Sequence, residues 1–244
     1  AGGRVHLESS FVERFLEIEP DREKWLERSA EGFRELRNRA RRGGPCVLVL
    51  PGHLVLTKFL TVPRVTPEQR RKVIHFESEQ NLPVALSELV WDSVVSGERA
   101  SGLEVMLAAS HLRRVDALCR AARAAGFEPR RVLPGALALL AAFREVCPEA
   151  LAPVVVMNLG ARSTTLLFVE NGRFLTRTFA GGLNPSGAAT AMAEVGEVAA
   201  VASQELLRSI RHYQRQSAFG EPVRLYLTGG GARVPGLVGA LGAR

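Results

Sequence analysis

A strand that switches to a helix through three glycines is the most constraining feature of this 244-residue sequence. The apolar run that begins at Val223 breaks at Gly229, Gly230 and Gly231 and then resumes with a helical pattern. Because glycine has no Cβ, the backbone at such a switch can approach a flat or charged ligand closely. The helix N-terminus behind it adds free N–H groups and a partial positive charge. This arrangement is typical of folds that hold a nucleotide.

The composition indicates a globular protein with one large domain or two small ones. The longest apolar run, 136–143, is far shorter than the roughly 20 residues that span a bilayer, and the first residues do not look like a signal peptide. The three cysteines Cys46, Cys119 and Cys147 are unclustered and lie in apolar contexts. They predict buried thiols in a reducing cytosol, and neither disulfides nor a metal site.

The net charge of +7 raises the question of a nucleic-acid or membrane-surface partner. Part of the excess lies at Arg37, Arg39, Arg41 and Arg42, where a helix predicted over 21–42 ends. Basic residues in a last helical turn complement the helix dipole, and no aromatic side chains alternate with them to stack on bases. We therefore predict no nucleic-acid partner.

Strand and helix patterns alternate along the chain, with hairpins between some strands. Helices are predicted over 21–42, 66–81, 111–125, 134–146 and 198–216, and strands over 5–17 (one or two), 46–50, 54–62, 89–95, 103–109, 127–133, 154–169 (two), 173–179 and 223–228. Thr66 to Gln69 has the pattern of a capping box, Asn171-Gly172 that of a hairpin turn, and the all-apolar strand 46–50 that of a strand buried on both faces. The order predicts an α/β fold with a mixed sheet.

Several chemistries lack their motifs. There is no P-loop, and the segment 229–234 fails the G-x-G-x-x-G pattern at its last glycine, so a Rossmann dinucleotide site is not expected. The five histidines show no metal-ligand spacing, and there is no G-x-S-x-G elbow. We predict no catalytic residue and no metal ligand.

A second glycine-containing turn precedes the triple glycine. In the segment 158–165, Gly160, Ser163 and Thr164 offer backbone N–H groups and hydroxyls to phosphate oxygens. The triple glycine would then take the adenosine side. Taken alone, each motif is explained equally well by a structural role, as a surface hairpin or as a glycine turn that packs on a helix. Only their order and the helix between them favour the nucleotide interpretation.

Five motifs together resemble the PilM family of actin-like proteins of type IV pilus assembly. The most specific is Pro63-x(3)-Pro67-Glu-Gln-x(4)-Ile74-x-Phe-Glu77-x-Glu79-Gln-x-Leu-Pro83, followed by Glu88-x(3)-Asp92. The others are Asn158-Leu-Gly-Ala-x-Ser-Thr-Thr, Arg177-x(3)-Gly181-Gly182, Glu205-x(2)-Arg208-Ser-x(3)-Tyr213 and Leu227-Thr-Gly-Gly-Gly-Ala-Arg-x-Pro-Gly236. They occur in the family's order and cover nearly the whole chain.

The resemblance implies an α/β, actin-like (ribonuclease-H-like) ATPase fold of two lobes around a nucleotide cleft, with an FtsA-type inserted subdomain. Residues 1–62 would begin lobe 1, 63–127 would form the inserted subdomain, 128–150 would complete lobe 1, and 151–244 would form lobe 2. PilM-like proteins are cytosolic, bind ATP with magnesium, and grip the cytoplasmic N-terminal peptide of PilN, a single-pass inner-membrane protein. That contact recruits them to the pilus alignment complex at the inner face of the inner membrane.

The resemblance also assigns nine nucleotide contacts by position, of which Asn158 begins the phosphate turn. Phosphates would be faced by Gly160, Ser163 and Thr164, adenosine by Gly229, Gly230 and Gly231, and ribose and base by Glu205 and Arg208. A solvated helix face explains the last two residues equally well.

Three departures from the family pattern bear on catalysis. The sequence lacks the first phosphate hairpin, and only 183–204 separates two motifs that the family spaces further apart, which fits either a subset of a longer protein or a true reduction. Asn158 stands where the family's phosphate loop usually has an acidic residue that would help to order a metal and the attacking water. We expect weak or absent hydrolysis, with ATP as a conformational ligand.

The central segment leaves two interpretations open. Val73, Ile74 and Phe76 form an apolar strip on one helix, and Trp91 lies on the next strand. They form either ordinary core or a groove for an extended peptide, which the family would place within 63–127 and its junction with lobe 1. The cytoplasmic actin-like domain of a type II secretion protein and a sugar-kinase-type phosphotransferase are the alternative functions.

Overall fold

The computed structural model describes residues 22–147, 152–182 and 192–242. The strands predicted within 5–17 lie outside these residues. The helices are α1 (Arg22–Ala40), α2 (Pro67–Asn81), α3 (Leu112–Ala124), α4 (Gly135–Val146), α5 (Met192–Ser217) and α6 (Leu237–Gly242). The strands are β1 (Gly44–Leu50), β2 (Leu56–Val62), β3 (Leu89–Arg99), β4 (Gly102–His111), β5 (Phe127–Pro134), β6 (Val154–Leu159), β7 (Ser163–Glu170), β8 (Arg173–Ala180) and β9 (Arg224–Thr228).

The largest sheet has the strand order β8-β7-β6-β9 and is mixed, as the sequence predicts. Strands β6, β7 and β8 are antiparallel, whereas β9 lies parallel to β6. The β7–β8 turn has positive φ at both Asn171 and Gly172, which is the backbone that an Asn-Gly hairpin requires. Helix α5 packs on the face that carries Met157 and Phe168, and α4 packs on the face that carries Leu167. Both faces of this sheet are therefore buried.

Helix α5 begins at Met192, so the predicted start at Val198 is wrong. Gly196 lies in the part of α5 before Val198, where glycine lowers the intrinsic helix propensity. Val195, Ala199 and Ala202 nevertheless pack into the core beneath the helix and are almost fully buried. Packing of one helix face stabilises the segment more than glycine destabilises it.

A three-stranded antiparallel sheet, β2-β4-β3, is covered on one face by α2. The predicted capping box is confirmed, because Thr66 Oγ1 accepts from the Gln69 N–H and the Gln69 side chain accepts from the Thr66 N–H. Residues Leu60, Val105 and Ile74 form the centre of this small core. A boundary at residue 63 would cut this sheet, because β2 pairs with β4 along its full length. The assignment of 63–127 to peptide binding stays a prediction.

Strands β1 and β5 form a parallel pair against which α1 and α3 pack, with Trp25 and Phe33 of α1 turned towards this core. The expectation that β1 is buried on both faces is wrong for the described residues, since Val47 and Val49 are each 49% exposed. Burial alternates along this all-apolar strand because, among the described residues, the β1–β5 pair is covered on one face only. The three cysteines are half-buried, so the expectation of buried thiols is also wrong in degree.

The junction of the two larger sheets holds a buried carboxylate, Glu104 of β4. Its side chain is 3% exposed and pairs with Arg99 of β3 and, at 3.4 Å, with Arg173 of β8. Ser217 at the end of α5 donates its hydroxyl to the same carboxylate at 3.2 Å. Arg173 in turn donates to the Ser217 carbonyl oxygen at 2.8 Å. One carboxylate thus connects the two sheets and α5.

No helix within the described residues is both long enough and apolar enough to cross a bilayer.

Removing the Glu104 carboxylate should destabilise the fold strongly, because two partly buried arginines would lose their counter-charge. We expect Glu104→Ala to lower the free energy of unfolding by about 3 kcal/mol, measured by chemical denaturation. The control is Glu98→Ala, whose exposed carboxylate pairs with Arg64 at 3.5 Å and should contribute less than about 1 kcal/mol. Equal effects of the two substitutions would contradict a central role for Glu104.

Candidate functional site

The two predicted nucleotide motifs lie side by side at one end of the four-stranded sheet. Parallel pairing of β6 with β9 places Asn158 opposite Thr228, directly before Gly229. Gly229 has φ +88°, and a Cβ built there would lie 2.4 Å from both Asn158 Oδ1 and the Leu159 carbonyl oxygen. Glycine is required at this position because backbone and side chain already fill the space. After the glycines the chain forms a single 3₁₀ turn before the short α6.

The β6–β7 turn is held by internal hydrogen bonds. The Gly160 N–H donates to the Ser163 carbonyl oxygen at 3.0 Å. Thr164 is 1% exposed, and its hydroxyl donates to the Gly181 carbonyl oxygen at 2.9 Å. A Cβ at Gly182 would lie 2.0 Å from the Gly160 carbonyl oxygen, so the turn and 181–182 are in tight contact. The Thr164 hydroxyl therefore has a structural partner in place of a ligand.

Glu205 and Arg208 point towards a different strand from the one that leads into the glycines. Glu205 of α5 pairs with Arg177 of β8 at 2.8 Å and with Arg208 at 3.1 Å. Arg177 also donates to Ser209 of the same helix at 3.2 Å. Because β8 and β9 are opposite edges of the sheet, these contacts do not join Glu205 to Gly229. The structure brings together the two glycine turns, gives Glu205 a role in fastening α5 to β8, and pairs Arg208 with Glu205 of the same helix.

An apolar groove lies where β1 and β5 meet β3 and β4. Its volume is about 340 Å³, and its lining includes Leu50, Val90, Trp91, Asp92, Ala108 and Val132. Val90, Trp91 and Asp92 are consecutive, so the edge of β3 borders the groove as well as its face. Trp91 also stacks on His75 of α2 with ring centroids 5.9 Å apart. We call this space the apolar groove.

A larger cleft separates the other edge of the three-stranded sheet from the four-stranded sheet. It has a volume of about 720 Å³ and is lined by parts of β2, β8 and the C-terminal part of α5. None of the nine predicted nucleotide residues lines it. Desolvation, together with Arg162 and Arg114, lowers the pKa of His53 at its rim. We call this space the basic cleft. Arg177 and Tyr213 of its lining belong to two of the five sequence motifs, but the sequence did not indicate a cleft, because the lining comes from five helices and strands and from two turns.

Within the described residues no group of three histidine, cysteine, aspartate or glutamate side chains is placed to hold a metal ion.

Comparison with known proteins identifies the fold. No protein-family model and no curated protein sequence matches the chain. The structure resembles a chain of the PilM-PilN type IV pilus biogenesis complex with a TM-score of 0.71 and 22% identity, over 88% of this chain and 72% of that one. It also resembles the cytoplasmic domain of EpsL, an inner-membrane component of the type II secretion system of Vibrio cholerae, with a TM-score of 0.52 and 13% identity, over 82% of this chain and 67% of that one.

At sequence identities of 22% and 13%, these two likenesses establish the fold alone. The predicted actin-like α/β fold and the resemblance to PilM are confirmed at the level of the fold. The nucleotide contacts stay predictions.

The close packing at Gly229 predicts a structural cost for any side chain there. We expect Gly229→Ala to lower the free energy of unfolding by about 2 kcal/mol, because alanine disfavours positive φ and its Cβ would press on a carbonyl oxygen. Gly239→Ala is the matched control, since no atom lies within 4 Å of a Cβ built there. Chemical denaturation of both variants measures the difference, and an unaffected Gly229→Ala would show that the turn is not packed as described.

Proposed function

We propose that this chain is a scaffold of type IV pilus assembly that binds the cytoplasmic N-terminal peptide of a PilN-like inner-membrane protein. The fold likeness to the PilM-PilN complex supports this proposal. So does the apolar groove, which is the single observation that carries it. The proposed scaffold would lie in the cytoplasm and reach the inner membrane through its partner.

The apolar groove suits an extended peptide for two physical reasons. Strand β3 ends its sheet, so among the described residues its outer N–H and C=O groups have no neighbouring strand. Such an edge accepts a peptide by main-chain hydrogen bonds, while alternate side chains enter pockets. Val90 on this edge is 41% exposed and offers apolar surface to an occupant of the groove.

The groove also coincides with the segment that carries the resemblance to PilM. Trp91 and Asp92 lie in its lining, and Asp92 is the last residue of the most specific motif. Asp92 is the sole charged side chain in this lining, so the groove favours a largely apolar occupant with at most one cation near the rim. Trp91 lines the groove and also packs against the core under α2.

For ATP, the residues present fit in part. The exposed Gly230 and the exposed turn at Ala161 and Arg162 adjoin each other through the β6–β9 pairing, and they would hold phosphate or adenosine by backbone N–H groups. Thr164 and Glu205 have internal partners, so their proposed nucleotide contacts are the weakest part of the assignment. Bound ATP would stabilise one conformation of the protein.

A role in type II secretion is the second candidate, since the fold also resembles the EpsL cytoplasmic domain. That likeness is weaker in TM-score and identity, so pilus assembly is the function that we favour.

A charge placed in the apolar groove should block peptide binding. We expect Val90→Asp to weaken the affinity for the partner peptide by at least about tenfold, because a carboxylate would be buried without a hydrogen-bond partner. The measurement is a fluorescence-anisotropy titration of the N-terminal peptides of single-pass membrane proteins encoded beside this chain.

The matched control for this titration is Val94→Asp, on the same strand with similar exposure but outside the groove lining. It should bind the peptide like the unaltered chain. No saturable binding of any peptide would count against the scaffold function, and equal weakening by both substitutions would count against this groove.

Hydrolysis of ATP should be weak or absent, because Asn158 is a poorer ligand for magnesium-bound water than a carboxylate. We expect calorimetric titration to show ATP binding in the intact protein and a phosphate-release assay to show no appreciable magnesium-dependent turnover. Robust turnover by the pure protein would contradict the interpretation of ATP as a conformational ligand.

A further inference from the structure

The basic cleft is bordered by two strand edges that face each other. Among the described residues, β2 is an edge strand of the three-stranded sheet and β8 is an edge strand of the four-stranded sheet. The lining includes the consecutive residues 57–61 of β2 and 176–180 of β8. Both are edge strands among the described residues, and a run of consecutive residues includes side chains of both strand faces, so the cleft reaches the outer edge of each strand. Two edges thus meet one space.

The charge around this space is strongly one-sided. Its lining contains the four cations Lys58, Arg99, Arg162 and Arg177, and Glu104 as the sole carboxylate. Two of these cations have carboxylate partners, since Arg99 pairs with Glu104 and Arg177 pairs with Glu205 of α5, and the four cations still outnumber these two carboxylates. Clefts lined by one sign of charge concentrate ligands of the opposite sign. An anionic occupant is therefore favoured.

The positive surface continues out of the cleft along α5. His212 and Gln216 line the cleft and also a neighbouring concavity that includes Arg208, Arg211 and Arg215. Arg208, Arg211 and Arg215 are spaced three and four residues apart and so lie on one helix face. A chain that leaves the cleft over this face would meet three more cations. The favoured occupant is longer than a single small anion.

We propose that the basic cleft binds an extended, acidic segment of a partner protein, which adds as a strand between β2 and β8. Main-chain hydrogen bonds to one or both edges would hold the segment, and its carboxylates would meet the cations of the lining and of α5. Such a segment alternates glutamate or aspartate with small or β-branched residues, since Phe59 and Phe179 leave apolar patches between the charges. The cavity of about 720 Å³ is of the size that holds a ligand of several residues.

This binding mode is independent of the proposed pilus function. The apolar groove uses the β3 edge of the same sheet and has almost no charge, whereas the basic cleft uses the β2 edge. The two sites therefore select segments of different chemistry. A substitution that abolishes binding at one site leaves binding at the other site testable.

The test uses the full chain and three synthetic eight-residue peptides labelled for fluorescence anisotropy. The first alternates glutamate with valine or threonine, the second replaces each glutamate by lysine, and the third is the glutamate peptide with alternate backbone nitrogens methylated. We expect saturable binding of the first, none of the second, and at least about tenfold weaker binding of the third, because methylation removes hydrogen-bond donors. Added salt should weaken the first complex.

A substitution in the cleft separates this site from general attraction to a basic protein. Thr57→Glu adds a carboxylate at an exposed lining position and should weaken the affinity for the glutamate peptide about tenfold. Ser87→Glu adds the same charge at an exposed position outside the lining and is the matched control, which should leave the affinity nearly unchanged. Hydrogen exchange should show that the peptide protects amides of β2 and β8.

Three results would overturn the proposal. Equal binding of the methylated peptide would exclude strand addition, and equal weakening by Thr57→Glu and Ser87→Glu would exclude this location. Strong protection of both strands in the chain alone would mean that another part of the chain, or a second copy, already occupies the cleft.

Discussion

The buried carboxylate of Glu104 is the interaction on which the arrangement of the sheets depends. A lone charge in this position would be costly to bury, and it is tolerated because Arg99, Arg173 and Ser217 approach it from three other elements. Its partners come from β3, β8 and the end of α5, so the charge is satisfied only when both sheets and the helix are in place. Apolar contact between sheets can slide, whereas paired charges fix register. The shape of the basic cleft, which lies between the same two sheets, follows from that fixed junction.

Much of the fold could be predicted because the local signals were strong and consistent with one another. The capping box at Thr66 fixes the start of α2. Gly126 after α3 and the Asn171-Gly172 turn have positive φ, which few other residues adopt. The errors have a common cause in tertiary packing. Burial of Val195 extends α5 through a glycine, and the uncovered face of the β1–β5 pair exposes Val47.

The candidate sites were less predictable, because a site is made by residues that are distant in sequence. Parallel pairing of β6 and β9 was needed to bring Asn158 beside Gly229, and position in a motif could not show that Thr164 and Glu205 have internal partners. The apolar groove was anticipated as a region, and its lining depended on strand register. The basic cleft was not anticipated, since Lys58, Arg99 and Arg177 are spread over more than a hundred residues of chain and converge only in the fold.

The three-stranded sheet presents two edges with opposite chemistry, and this asymmetry suits a scaffold. Strand β4 pairs on both sides and is almost wholly buried, so it sets the distance between the edges of β2 and β3. One edge borders an apolar space with a single carboxylate, Asp92, and the other borders a space with four cations. An unprotected edge is a liability for a soluble protein unless a partner uses it. Both edges of this small sheet are open among the described residues, and their unlike surroundings would allow the two proposed segments to be held at a fixed separation without competing for the same hydrogen bonds.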